Sequence, residues 1–217
     1  MQLYSVNLSP FAARVRAAIY AKGADIAIVP PPASGIKSPE YLALNPMGRI
    51  PVLQLDDGST LPESETILEY IEDKFPAKPL RPGTPEAAAK GRLLARVADL
   101  YVLTHLFTLF PHMNPKTRDQ AVVDAECEKL DAGLGYLDGF LGEGPYALGD
   151  SLSAADCTLI PTLFFVGVAA QALGKPELVS GHPKLAAYMG ALQKDAIAQK
   201  VTAELQAALM ERLAQAA

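Results

Sequence analysis

The sequence predicts a protein of two parts, an α/β domain followed by a domain built from helices alone. Three observations carry this prediction. Short strand and helix patterns alternate in the N-terminal third. Four prolines and one glycine then crowd residues 76–85, where neither helix nor strand runs comfortably. The rest has helical periodicity with almost no strand signal, so we place the domains at 1–76 and 86–217, with a linker at 77–85.

The α/β domain is predicted to run strand, helix, strand, helix, strand, strand, helix. Its first helix stops at Gly23, a natural C-cap, and Ser38-Pro39 opens the second. The turn Asp56-Asp57-Gly58 lies between two apolar runs and predicts a hairpin. The predicted strands are 3–6, 26–29, 50–55 and 60–61, and the predicted helices are 11–22, 38–44 and 64–75.

The helical domain is predicted from apolar periodicity and from proline and glycine breaks. Its predicted helices are 86–113, 116–141, 153–173, 183–194 and 195–214. Pro111 predicts a kink or an early end in the first of these helices. In the same helix Leu93, Val97, Leu100 and Phe107 have the spacing of a core face.

Composition excludes several classes of function. The net charge is −5, so nucleic acid and an anionic membrane surface are not expected partners. Cys127 and Cys157 are too few for a disulfide framework and lie outside any metal-binding pattern, which favours a reducing, cytoplasmic setting without a metal. The longest uncharged stretch, 157–174, is interrupted by Pro161 and Gly167, and we interpret it as a buried core helix rather than a membrane span.

The first motif that bears on chemistry is Ser9-Pro10-Phe11, between the first strand and the first helix. A helix N-terminus stabilises an anion, and a Ser9 hydroxyl at the N-cap can donate to a bound thiolate and so lower the pKa of that thiol. The alternative is plain capping, since serine at the N-cap and proline at the first helical position are both preferred.

The second motif is Asn45-Pro46-Met47-Gly48-Arg49-Ile50-Pro51-Val52-Leu53. Proline just before a buried strand is a candidate for a cis peptide bond, which would leave the amide and carbonyl of Ile50 outside the sheet and open to an extended peptide. A simple entry turn is the other interpretation.

The third motif, Pro62-Glu63-Ser64-Glu65-Thr66, opens a helix. Ser64 is a natural N-cap, the helix start suits a carboxylate, and Glu63 offers an acceptor to an ammonium group. Together they suit the end of an α-amino acid, although capping of an amphipathic helix explains the same residues.

These motifs, in this order and spacing, resemble the glutathione transferase superfamily. The likeness extends to Ser153-Ala154-Ala155-Asp156, which has the pattern of a helix capping box and is similar to the one in the family's helical domain. The resemblance covers nearly the whole chain. It implies a thioredoxin-like, glutathione-binding domain at 1–76 and an all-α bundle that forms an electrophile pocket.

The resemblance assigns a role to each matching residue. Ser9 activates the thiol as in bacterial-type and serine-dependent, tau-like members, Ile50 pairs with the cysteine of glutathione, and Glu63 with Ser64 holds the γ-glutamyl end. Lys37 and Arg49 are similar to the family's cationic ligands for the glycine end. The resemblance also implies a cytoplasmic homodimer with glutathione as co-substrate.

The pocket for the second substrate is predicted on the helix over 86–113. Tyr101, His105, Thr108 and His112 share a face at intervals of four, three and four residues, and by resemblance this helix borders the electrophile site. We expect these residues, together with Phe11, to line the pocket. A surface or core role is the alternative for the two histidines.

The expected activity is attack of activated glutathione on a small hydrophobic electrophile. A glutathione-dependent isomerase, dehalogenase or ether-cleaving enzyme begins with the same thiolate, and a noncatalytic ligand-binding member is a further alternative. Serine rather than cysteine at position 9 closes the mixed-disulfide chemistry of thiol reductases in the family. Tyr4 lies inside a strand pattern and is a weaker candidate for thiol activation, and the longer Ser/Cys-rich turn of zeta-type isomerases is missing.

Overall fold

The structure, a computed structural model, describes residues 1–216 and separates into two compact units. One comprises Met1–Leu80 and the chain from Ala196 onward, and the other comprises Arg81–Asp195. The sequence-based division had placed the last helix with the helical domain, to residue 217, which lies outside the described residues. In the structure the last helix belongs to the first unit, because helix α10 (Ala196–Ala216) packs on helix α1 (Pro10–Lys22) of that unit.

The first unit contains a four-stranded mixed sheet, which confirms the predicted α/β class. The strand order is β2-β1-β3-β4, with β1 parallel to β2 and antiparallel to β3, and with β3 and β4 forming the predicted hairpin. The strands are β1 (Gln2–Tyr4), β2 (Ala27–Val29), β3 (Val52–Gln54) and β4 (Thr60–Pro62). The helices that complete the unit, besides α1 and α10, are α2 (Pro39–Leu44) and α3 (Ser64–Lys74).

Local capping signals explain why these helices begin and end where they do. Ser38 accepts a hydrogen bond from the amide of Tyr41 at 3.2 Å, as a cap for α2. Gly23 ends α1 in the left-handed region with φ of 63°, which glycine adopts without a steric penalty. Both ends agree with the sequence prediction.

The second unit is helical throughout its regular structure. Its helices are α4 (Pro85–Val97), α5 (Thr104–Leu109), α6 (Gln120–Phe140), α7 (Ala154–Leu173), α8 (Glu177–Ser180) and α9 (Pro183–Leu192). A π-helical segment, Ala98–Leu103, joins α4 to α5 without a break, and a 3₁₀ turn, Phe110–His112, follows α5. The α-helix thus ends at Leu109, next to Pro111, as the sequence predicts. The π-helical segment about ten residues earlier was not predicted.

Helix α7 forms the core of the second unit. Most of its residues are buried, Pro161 included, and its start carries the predicted capping box between Ser153 and Asp156. By length and composition alone α7 and the segment Pro85–His112 are apolar enough to cross a membrane, a criterion that the buried core helix of a globular protein also meets. Within their 18-residue apolar windows, 72% of α7 is buried and only 44% of Pro85–His112.

The predicted core face of the segment Pro85–His112 is wrong. Val97 is buried, but Leu93, Leu100 and Phe107 are 41%, 47% and 43% exposed. The core face consists instead of residues one position away, such as Leu94. A helix this rich in apolar residues supports either choice of face, so periodicity alone did not identify the buried one.

Candidate active site

The three sequence motifs meet at one end of the four-stranded sheet. The register pairs Tyr4 with Val52 and Val52 with Pro62, so these three residues form one row across the sheet. Ser9 follows the first of them, Ile50-Pro51 precedes the second, and Glu63-Ser64 follows the third. Residues that are far apart in sequence are therefore brought to the same end of the sheet.

Ser9 is the N-cap of α1. Its Oγ accepts a hydrogen bond from the amide of Ala12 at 3.2 Å, and its side chain stays partly exposed. Acceptance uses an oxygen lone pair, so the hydroxyl hydrogen is still available to donate. The first turn of α1 holds no acidic residue, so the positive end of the helix dipole is not neutralised by its own side chains. Capping and anion binding, the two interpretations of the motif, are therefore compatible at this residue.

The turn before β3 has the predicted form. The Ile50-Pro51 peptide bond is cis, and Ile50 lies ahead of the first ladder pair of β3. Two side chains fix the turn through the carbonyl of Arg49, which accepts from Asn45 Nδ2 at 2.8 Å and from Tyr41 Oη at 2.9 Å. Burial raises the pKa of Tyr41 to about 12, so its phenol remains a donor.

Lys37 and Arg49 lie on the same exposed part of the first unit. Lys37 Nζ donates to the carbonyl of Met47 at 3.3 Å. It also lies against Gly48, where a Cβ atom would come within 2.9 Å of the ammonium and of the carbonyl of Ile36. Glycine at φ of 58° thus permits the close approach of the lysine to the turn that carries Arg49.

The start of α3 differs from the prediction in one respect. Ser64 is a buried first residue of the helix rather than its N-cap, which is Glu63. Glu63 is the one non-glycine residue with positive φ among the described residues 1–216, at φ of 70° and ψ of 113°, and its side chain makes no capping hydrogen bond. A non-glycine residue in this region is strained, and such strain clusters at functional sites. Glu63 is exposed, and its carboxylate does not cap α3.

Two arginines on α1 were not singled out by the sequence analysis. Arg14 and Arg16 are completely buried, and Arg14 Nη1 donates to Glu65 Oε1 at 2.7 Å. Glu65 belongs to the first turn of α3, so this ion pair joins the helix that follows Ser9 to the helix that follows Glu63. The guanidinium of Arg14 also lies 5.1 Å from the ring centre of Phe11. The available signal was two arginines within the otherwise apolar run 11–19, because charged side chains are buried only when they are paired.

Three residues predicted for the electrophile pocket, His105, Thr108 and His112, each have a hydrogen-bond partner within the second unit. His105 Nδ1 lies 2.7 Å from Glu126 Oε2, and His112 Nδ1 accepts from the amide of Asp119 at 3.1 Å. Lys129 and His105 both donate to Glu126 and lower the pKa of its carboxyl. Thr108 Oγ1 donates to the carbonyl of its own helix four residues earlier, at 3.3 Å.

Tyr101, the fourth predicted residue, is 48% exposed. Its ring packs edge-on against Tyr136 of α6, with ring centres 5.6 Å apart. The contacts of Tyr101 and His105 are thus with α6, and His112 bonds the residue just ahead of that helix.

A cavity of about 610 Å³ lies elsewhere in the second unit and was not predicted. It is lined by the start of α4, the end of α6 and the loop that follows, including Leu93, Phe140 and Leu148. None of the residues predicted for the pocket lines this cavity.

Comparison with known proteins identifies the class. Residues 3–79 match the family "Glutathione S-transferase, N-terminal domain", and residues 120–191 match "Glutathione S-transferase, C-terminal domain". The chain is 32% identical to glutathione S-transferase 1 of Zea mays, covering 94% of this chain and 96% of that protein. It is 30% identical to the maleylacetoacetate isomerase of Pseudomonas aeruginosa, covering 84% of this chain and 92% of the relative.

A solved structure agrees with this. The glutathione S-transferase of Methylobacillus flagellatus, with glutathione bound, superposes with a TM-score of 0.76 at 28% identity, covering 92% of this chain and 98% of that one. The chain belongs to the glutathione transferase superfamily, with a thioredoxin-like N-terminal part and a helical C-terminal part.

Proposed function

We propose that this protein is a glutathione transferase that activates the glutathione thiol at Ser9 for attack on a small hydrophobic electrophile. The observation that carries the proposal is the row of paired residues Tyr4, Val52 and Pro62, because each of the three motifs lies next to one of them at the same end of the sheet. A tripeptide with a thiol, an ammonium and two carboxylates is complementary to the groups that follow and precede this row.

The thiolate would lie at the N-terminus of α1. A free thiol has a pKa of about 8.5, and both the helix dipole and a hydrogen bond from Ser9 favour its charged form. The Ala12 amide directs the Ser9 oxygen without using its hydrogen. The result is a larger thiolate fraction at neutral pH, which is the nucleophile that the reaction needs.

The rest of glutathione is assigned to the groups around this end of the sheet. Ser64 and the amides at the start of α3 bind the γ-glutamyl carboxylate, and Glu63 binds its ammonium. The backbone of Ile50 pairs with the cysteine residue of glutathione. Lys37 and Arg49 bind the glycine carboxylate, and their exposure leaves both side chains free to rotate toward it.

For the electrophile, Phe11, Tyr101, His105, Thr108 and His112 remain the proposed residues. A second activity on the same site, glutathione-dependent isomerisation, is favoured by the likeness to the maleylacetoacetate isomerase of Pseudomonas aeruginosa. Transfer and isomerisation share the thiolate, so Ser9 has the same role in both.

We also propose a homodimer, on family resemblance and on an apolar face of the second unit. This face, formed by Leu93, Leu100, Tyr136 and Phe140, has side chains that are 41% to 50% exposed. Leu93 of α4 lines the same cavity as Phe140 of α6, so both helices contribute to the face. Exposed apolar side chains grouped in this way are typical of an interface, and a second copy presents the same face.

A cytoplasmic location is proposed because both cysteines are buried free thiols, as is typical of a reducing compartment. We propose no nucleic-acid, membrane or metal partner.

Three assays test the catalytic proposal. We expect retention on immobilised glutathione, stabilisation by millimolar glutathione in a thermal melt, and turnover of a chromogenic aryl halide. No retention and no stabilisation would contradict the glutathione site. Retention without turnover of the aryl halide, but with turnover of maleylacetoacetate, would assign the isomerase activity. Retention with neither would leave a dehalogenase, an ether-cleaving enzyme or a noncatalytic member.

A further inference from the structure

Arg16 reaches from α1 back to the turn that precedes Ser9. Its side chain is 1% exposed. Nη1 donates to Ser5 Oγ at 2.8 Å and to the carbonyl of Val6 at 3.3 Å, and Nη2 donates to the carbonyl of Asn7 at 3.1 Å. One guanidinium therefore holds three consecutive residues of the turn. An apolar side chain would fill the same space without the desolvation penalty of a buried charge, so packing alone does not account for an arginine here.

The contact with Val6 leads directly to Ser9. The amide of Ser9 donates to the same Val6 carbonyl at 3.1 Å, so this carbonyl accepts from both residues. Val6 itself is 42% exposed and lies beyond the end of β1, where the sheet no longer fixes the backbone. The Val6 carbonyl thus links the Arg16 guanidinium to the Ser9 amide.

Glu204 of α10 holds Arg16 in turn. Its Oε2 accepts from Arg16 Nε at 2.8 Å, and its Oε1 accepts from Tyr20 Oη at 2.7 Å. Lys200 Nζ lies 3.6 Å from the centre of the Tyr20 ring, so α10 contacts α1 at two successive turns. Glu204 compensates the charge of Arg16 and leaves the other edge of the guanidinium directed at the turn.

We propose that Arg16 and Glu204 are positioning residues for Ser9, through which the last helix of the chain fixes the turn that carries the Ser9 hydroxyl. The expected effect on the glutathione thiol rests on the proposed function. The mechanical part of the inference, that Glu204 controls the conformation of the turn, does not depend on glutathione binding.

The decisive variant is Glu204→Gln, because electrostatics and positioning predict opposite results. Loss of the carboxylate leaves the Arg16 charge uncompensated, and a nearby positive charge lowers the pKa of a thiol. A loosened turn weakens the hydrogen bond from Ser9 to the thiolate and so raises the pKa of the thiol. We expect the pKa of enzyme-bound glutathione, from ultraviolet titration of the thiolate, to rise by about half a unit to one unit. The dissociation constant of glutathione should change less than about threefold, because the ends of the tripeptide are held elsewhere.

Arg16→Lys gives an independent measurement. It keeps the charge, but a single ammonium cannot reach Glu204 and three acceptors of the turn together. The same rise in the thiol pKa is expected, with kcat at neutral pH lowered by about three- to tenfold and recovering as pH rises.

Tyr20→Phe is the matched control. It removes the other hydrogen bond of Glu204 and weakens the same α1–α10 contact, but leaves Arg16 and the turn intact. We expect a lower melting temperature and an unchanged thiol pKa. If Glu204→Gln leaves the thiol pKa unchanged or lowers it, or if Tyr20→Phe raises it equally, the inference is overturned.

Hydrogen exchange tests the mechanical part without glutathione. The Ser9 amide is protected by the Val6 carbonyl, and we expect it to exchange about tenfold faster in Glu204→Gln than in Tyr20→Phe. Equal exchange in the two variants would overturn the inference even if glutathione binds as proposed. Faster exchange in a protein that fails to bind glutathione would contradict only the proposed function.

Discussion

The amide of Ala12 donates a hydrogen bond to Ser9 Oγ at 3.2 Å, and the amide of Tyr41 donates to Ser38 Oγ at the same distance. Both serines precede a proline and cap a helix of the first unit. The Ser9 and Ser38 caps thus share one local geometry, but only Ser9 lies at the end of the sheet where the three motifs meet. This pair allows the capping role of Ser9 to be separated from its proposed chemical role.

We predict that Ser9→Ala raises the pKa of enzyme-bound glutathione by about one to two units, since a hydrogen bond to a charged group contributes about 1.5–3 kcal/mol. Turnover near neutral pH should fall by about ten- to a hundredfold and recover partly as pH rises. Ultraviolet titration of the bound thiolate measures the shift. Ser38→Ala is the control, expected to lose about 1 kcal/mol of stability, as Ser9→Ala also does, without the shift. Superimposable titration curves for Ser9→Ala and wild type would indicate another donor, such as Tyr4 or a backbone amide.

Glu63 offers a second test, in which stability and binding change in opposite directions. Glycine adopts φ of 70° without penalty, so we predict that Glu63→Gly stabilises the protein by about 1 kcal/mol, or about 2–4 °C in melting temperature. The same change removes the proposed acceptor for the ammonium group and should weaken glutathione binding by about tenfold or more. Differential scanning calorimetry measures the melting temperature, and isothermal titration calorimetry measures the affinity for glutathione.

Glu63→Ala separates the two effects, since alanine loses the carboxylate and keeps the unfavourable backbone. It should bind glutathione as weakly as Glu63→Gly, but without the gain in melting temperature. Equal affinity of wild type and both variants would remove Glu63 from the site.

The sequence predicted those features that depend on neighbouring residues. The Ser9 and Ser38 caps and the Gly23 end are each encoded within four residues, and all three are in the structure. The positive φ of Glu63 was not foreseen, because nothing local to a glutamate indicates it. Nor was the bond between Arg16 and Glu204, whose partners are 188 residues apart.

The second unit shows where the apolar pattern of a sequence no longer identifies the buried face of a helix. Leu93 and Leu100 were assigned to the core by periodicity, yet they are exposed while Leu94 is completely buried. An exposed apolar stripe and a buried one can have the same residue types and the same spacing, so sequence pattern alone does not distinguish them.

For the proposed dimer we predict that Phe140→Asp yields a monomer. The side chain is 47% exposed at the end of α6 and lines a cavity together with Leu93 and Leu148, and a carboxylate there would be desolvated at an interface. Light scattering should change from twice 23.0 kDa for the wild type to 23.0 kDa for the variant. Met210→Asp, at a 58% exposed residue of α10 outside the face, is the control and should stay dimeric. A wild-type particle of 23.0 kDa at micromolar concentration would refute the dimer itself.

The capping box of α7 should dominate the stability of the second unit. Asp156 is completely buried and accepts from the amides of Ala147 and Ser153, from Ser153 Oγ and from Tyr188 Oη, all within 2.8 Å. Asp156→Ala leaves these donors buried without acceptors, and we predict a loss of about 3 kcal/mol or more in urea denaturation. Asp119→Ala removes the exposed cap of α6 and should cost only about 1 kcal/mol. Equal losses would mean that Asp156 acts as an ordinary helix cap.

A close approach of two helices in the second unit depends on Gly133. A Cβ atom placed on Gly133 of α6 would clash with the carbonyl oxygen of Tyr101, which belongs to the π-helical segment. The obstacle is backbone rather than a flexible side chain, so the two helices would have to separate. Interiors are close-packed and do not absorb such a displacement cheaply.

We therefore predict that Gly133→Ala destabilises the second unit by about 3 kcal/mol or more, well beyond the usual effect of one added methyl group. Gly139→Ala is the matched control, because Gly139 lies on the same helix and a methyl group there would meet nothing within 4 Å. Alanine at this position should stabilise by about 0.5–1 kcal/mol through its higher helix propensity. Thermal and urea unfolding of the two variants measure the contrast, and near-ultraviolet circular dichroism of Tyr101 and Tyr136 reports whether their edge-on contact survives. If Gly133→Ala is as stable as Gly139→Ala, the π-helical segment and α6 are not packed as closely in solution as the structure has them.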